Sequence, residues 1–68
     1  MDKQLLGSRL KTLRGARDQK EVAQAVGITV SALSMYEIGQ RVPRDDVKVR
    51  LARYYKVPVE QLFYEGIA

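Results

Sequence analysis

Side chains that could carry out covalent or metal chemistry are scarce in this sequence, while those able to grip an anion are not. It contains no histidine and no cysteine, which removes the ordinary zinc site, the thiolate nucleophile and the imidazole base at once. There is no glycine-rich phosphate loop, and the adjacent carboxylates Asp45 and Asp46 are accounted for by helix capping. No cofactor, metal or enzymatic activity is expected. What remains is noncovalent. Arg41 and Arg44 flank Val42 and Pro43 in the segment G-Q-R-V-P-R, and a proline-stiffened loop holds two guanidinium groups with little entropy left to lose. Twelve Lys and Arg against eight Asp and Glu leave a net charge of +4, which favours a polyanionic partner but also serves plain solubility.

Those arginines need a frame, and the stretch V-A-Q-A-V-G-I-T-V-S-A-L-S-M-Y-E from Val22 to Glu37 supplies it. Val22, Ala23 and Val26 recur with the one-face spacing of a helix, and so do Leu33, Tyr36 and Glu37. Gly27 stands where the first pattern stops, at the position that ends a helix in the left-handed conformation. Thr29 offers a hydroxyl as N-cap of the next helix. Two short helices joined by so few residues must cross steeply, with the second turned outward. This is a helix-turn-helix signature.

The other elements pack around that pair. A first helix capped by Asp2 carries Leu6, Leu10 and Leu13 inward and ends between Arg14 and Ala16, because Gly15 would cost roughly 1 kcal/mol in a helix interior. Asp18 and Glu21 have reciprocal-capping spacing, so the second helix runs from Gln19 to Val26. The third runs from Val30 to Ile38 and is closed by Gly39. Asp45 and Asp46 open a fourth, with Val47, Leu51, Ala52 and Tyr55 on one face. Pro58 suits the first turn of a fifth carrying Val59, Leu62 and Phe63 inward, and the segment 65–68 reads as a frayed tail. The expectation is an all-α, compact five-helix bundle around one core, a single domain over residues 1–68. No apolar run reaches membrane length and the start M-D-K-Q does not read as a signal peptide, so a cytoplasmic protein is expected.

At this point the sequence resembles the Cro and lambda-repressor family of helix-turn-helix regulators, the Xre type. The match is carried by S-R-L-K-T-L-R at 8–14, Q-K-E-V-A-Q-A-V-G-I-T at 19–29, S-M-Y-E-I-G-Q-R-V-P at 34–43 and L-A-R-Y-Y-K-V-P-V-E-Q-L-F at 51–63. The resemblance implies a third helix lying in the DNA major groove with the second crossing the backbone above it. It implies a phosphate contact for Gln19 and base-edge or phosphate contacts for Thr29, Val30, Ser31, Ser34 and Met35. Arg41 and Arg44 match the loop that grips the backbone, and Arg14 with Glu37 matches an internal ion pair. Physical reasoning points to the same pair: a carboxylate in the last turn of a helix loses on the order of 0.5 kcal/mol against the dipole and asks for a cation. One departure is a tighter connection between Arg17 and Asp18, where family members commonly carry an extra glycine and aliphatic residue.

The reading positions lack the long amide and guanidinium side chains that grip adenine or guanine bidentately. Short hydroxyls bond to several base edges, and Val30 and Met35 can touch only a thymine methyl. Direct readout is therefore expected to be modest, with phosphate contacts and DNA deformability supplying the rest. The plainer alternative makes Ser31 and Ser34 exposed polar positions and Val30 partly core. Lys11, Lys20, Lys48, Arg50 and Arg53 read as solvated faces. Tyr54, Tyr55, Phe63 and Tyr64 read as core or subunit contact, and Val49, Phe63, Tyr64 and Ile67 form a candidate dimer surface. Two functions are in play: a repressor binding a palindromic operator as a homodimer on double-stranded DNA, or an antitoxin-like protein-interaction module with weak DNA binding.

Overall fold

The computed structural model describes residues 2–63. The readings made above for Tyr64, Ile67 and the segment 65–68 fall outside that range. Five helices follow in order: α1 Lys3–Arg14, α2 Gln19–Val26, α3 Val30–Glu37, α4 Asp45–Tyr55 and α5 Val59–Phe63.

Each start is set by a side chain that meets orphan backbone donors. Asp2 accepts from Gln4 and Leu5 N–H at 3.0 and 3.1 Å, Asp18 from Lys20 N–H at 3.1 Å, and Thr29 from Ala32 N–H at 2.9 Å. The expected return bond from Glu21 is replaced by another contact, since its Oε2 accepts from the Tyr54 hydroxyl at 3.5 Å. α4 starts without a side-chain cap, and Asp45 and Asp46 in its first turn complement the dipole as expected.

The ends follow the left-handed rule. Gly27 has φ 82° and returns its N–H to Ala23. Past α3, Gly39 and Gln40 donate back to Tyr36 and Met35 at 3.2 and 2.9 Å, the paired bonds of a Schellman close. This stops α3 at Glu37 and makes Ile38 its cap rather than its last residue. Lys56 closes α4 the same way at φ 58°, where a non-glycine residue is strained. α5 begins at Val59, with Pro58 just outside it accepting from Leu62 N–H.

The inward stripes meet in one core of Leu6, Leu10, Val22, Ala23, Val26, Leu33, Tyr36, Val47, Leu51, Ala52, Tyr55, Leu62 and Phe63. Phe63 is fully buried there, which confirms its inward reading and removes it from any dimer surface. α1 and α3 come together so closely that a Cβ on Gly7 would lie 2.5 Å from the Glu37 carbonyl oxygen. A glycine costs about 1 kcal/mol against alanine in a helix interior, and at position 7 its missing side chain is what allows this contact.

Two cations expected in solvent are structural. Lys48 is buried, its Nζ 5.6 Å from the centre of the Phe63 ring and 3.7 Å from Asp45, so the ammonium is held by a ring face on α5 as well as by a carboxylate on its own helix. Arg50 donates from Nη1 to the Val26 carbonyl at 3.1 Å and from Nη2 to Asp46 at 3.3 Å, satisfying an orphan acceptor at the end of α2.

Candidate nucleic-acid interface

α3 divides cleanly between two environments. Leu33, Tyr36 and Glu37 are buried, whereas Thr29, Val30 and Ser31 are exposed and Ser34 and Met35 half-buried along the other side. Val30 is 42% exposed although it is apolar, so the partly-core reading of this residue does not hold. Thr29 spends one lone pair on the cap of α3 and keeps its hydroxyl hydrogen for another acceptor.

The cationic loop sits against the end of the same helix. Gln40 and Arg41 N–H both turn back to the Met35 carbonyl, at 2.9 and 3.4 Å. Pro43 is buried between the exposed Arg41 and Arg44, so the loop is anchored at its centre while its two charges face out. Arg44 is paired weakly, its Nε 3.6 Å from Asp46 with the side chain 82% exposed. A pair that exposed contributes about 0–1 kcal/mol, so a phosphate can displace it.

Behind the exposed strip lies the expected ion pair. Arg14 Nε and Nη2 donate to Glu37 Oε2 and Oε1 at 2.7 and 3.0 Å, a bidentate fork onto a carboxylate that is 3% exposed. Arg14 Nη1 also donates to the Arg17 carbonyl at 2.8 Å, which draws the tight α1–α2 connection into the network. The hydrogen bonds to Glu37 hold the Arg14 guanidinium above its ordinary pKa, with burial working against them.

Gln19 is arranged differently from the other expected contacts. Its Nε2 donates to Glu37 Oε1 at 2.9 Å, so the amide that was expected to face a phosphate has an internal partner. Further out, Arg17 stacks over the Tyr54 and Tyr55 rings at 5.4 and 5.7 Å, and the two tyrosines meet edge to face at 5.2 Å. The buried Tyr55 hydroxyl has no hydrogen-bond partner among the described residues. Burial first, and the neighbouring Glu37 charge second, push its pKa up to about 12.

Sequence reasoning missed Arg50 and Lys48. The signal was present in their spacing, since Asp46 and Asp45 stand four and three residues ahead of them. Arg9, which donates to the Gln61 and Leu62 carbonyls at 3.3 and 3.2 Å and ties α1 to α5, left no such local trace.

Residues 5–62 match a family model described as a helix-turn-helix domain. The chain belongs to the helix-turn-helix family. The helix-turn-helix is α2, the turn at Gly27 and α3. A phage repressor, the cryptic phage CTXphi transcriptional repressor RstR of Vibrio cholerae, is 33% identical over 60 residues, covering 85% of this chain and 54% of the repressor. This helix-turn-helix chain thus spans about half the length of that curated relative. The restriction-modification controller protein C.AhdI from Aeromonas hydrophila superposes with a TM-score of 0.83 at 30% identity, over 91% of this chain and 97% of its own. The clp gene regulator ClgR from C. glutamicum has the same fold at 19% identity, with a TM-score of 0.78 over 91% of this chain and 83% of its own. Among the described residues no helix is long and apolar enough to cross a membrane.

Proposed function

We propose that residues 1–68 act as one DNA-binding unit, a cytoplasmic transcriptional repressor that places α3 in the major groove of double-stranded DNA. The observation that carries this reading is the division of α3: its buried side is locked into the core, and its other side leaves Thr29, Val30 and Ser31 exposed, with Ser34 and Met35 beside them. Ser31, Ser34 and the Thr29 hydroxyl bond to base edges or phosphate, and Val30 and Met35 pack on thymine methyls. Arg41 and Arg44 neutralise phosphates from the anchored loop. The names of the relatives, a transcriptional repressor and a controller protein, support the same assignment. A homodimer on a palindromic operator follows, with half-site centres about one helical turn, roughly 34 Å, apart.

Titration of genomic fragments at two salt concentrations tests this. A site-specific excess over bulk DNA is expected. Arg41→Ala and Arg44→Ala should each flatten the slope of log affinity against log salt by roughly 1, because each removes one phosphate contact. No preference for any fragment would favour the protein-interaction module instead.

A further inference from the structure

The two helices of the helix-turn-helix are tied at both ends. At the closed end the chain itself joins them, through the left-handed Gly27 and the Thr29 cap. At the open end the first residue of α2 meets the last residue of α3, where Gln19 Nε2 donates to Glu37 Oε1 at 2.9 Å. Only the amide nitrogen can donate to a carboxylate, so the chemistry fixes which way the Gln19 amide faces. The same carboxylate takes both Arg14 donors and is 3% exposed, so it is a rigid anchor.

A helix pair joined at one end can scissor about that joint. An eight-residue helix places its far end about 12 Å from the turn, and a tie there acts with the longest lever available.

We propose that Gln19 serves DNA recognition through Glu37, as a positioning residue that fixes the angle of α3 against α2. The amide of Gln19 is committed to the open end of the pair. Its contribution is to hold Thr29, Val30, Ser31, Ser34 and Met35 in one orientation, so that they meet base edges together. The inference rests on α3 being the reading helix, and its test separates the two.

Gln19→Met keeps the length of the side chain and removes the donor. Two readouts are taken on the full chain. The first is affinity for the strongest genomic fragment and for a random-sequence duplex. A positioning role lowers the ratio of the two affinities by about threefold or more, while random-duplex affinity, set by the arginines, stays within about twofold. A phosphate ligand, or a residue that merely stabilises the fold, lowers both affinities together and leaves the ratio unchanged, which overturns the proposal. The second readout is amide hydrogen exchange without DNA. Faster exchange at Gly39 and Gln40, whose N–H groups close α3, is expected in Gln19→Met, and unchanged exchange overturns the tie. That readout tests the tie itself whether or not any fragment is preferred, and Glu37→Gln, which weakens the acceptor, should reproduce it.

Discussion

Tyr55 is the residue whose environment makes the sharpest demand. Its hydroxyl is buried with no hydrogen-bond partner among the described residues, and its pKa rises from 10.0 to about 12. A group whose folded pKa is raised contributes fully below its unfolded value and loses that contribution as pH climbs through the folded one. Stability linked to Tyr55 is therefore intact below pH 10.0 and lost between there and about 12, a total on the order of 3 kcal/mol. Urea unfolding from pH 9 to pH 12 should show this loss in the parent chain and not in Tyr55→Phe, and the difference between the two cancels the other titrating groups. Near neutral pH the same variant should be no less stable, since it deletes an unpaired buried hydroxyl worth about 1 kcal/mol or more of desolvation. Arg14→Ala acts the other way. It leaves the Glu37 carboxylate, 3% exposed, with Gln19 as its remaining side-chain donor, and should cost about 3 kcal/mol in chemical denaturation. This pair was legible in the sequence because a glutamate at the negative end of a helix is a local conflict that only a distant cation resolves. The partnership of Gln19 with that glutamate was not, because the choice between an external phosphate and an internal carboxylate is settled by where the end of α3 falls.

The elements were legible wherever their signals are local. Asp2, Asp18 and Thr29 cap the helices they were expected to cap, and Gly27 ends α2 in the conformation its position implies. What the sequence did not disclose depends on how elements approach one another. Gly7 reads locally as a weak point in α1, and only the contact with the end of α3 explains it, since the Tyr36 and Glu37 carbonyl oxygens stand 2.7 and 2.5 Å from a Cβ built there. Both neighbours are backbone and cannot swing aside. Gly7→Ala should therefore destabilise the chain by about 1–3 kcal/mol despite its better helix propensity, as thermal unfolding by circular dichroism would register. A more stable variant would mean that α1 and α3 are less tightly apposed than described. Lys48 and Arg50 belong to the same class: their i, i+3 and i, i+4 partners were visible, but the Phe63 ring and the Val26 carbonyl they also reach come from other helices.

Across the whole molecule, fold and family follow from the pattern of apolar stripes, glycines and caps, whereas the proposed binding surface is what that pattern leaves uncovered. The core consumes one side of α3 and one side of each neighbouring helix, and the strip that remains is short in hydrogen-bonding reach. A modest net charge of +4 then makes nonspecific attraction available without by itself selecting a site. Selection of bound sequences from a random duplex pool, run in parallel for the parent chain and for Val30→Gln and Met35→Gln, tests the central claim most directly. If the exposed strip of α3 reads bases, each substitution changes the selected sequence at the position it contacts, with discrimination there of about 1–3 kcal/mol, and leaves the salt slope unaltered. Identical selected sequences from all three proteins would contradict the account.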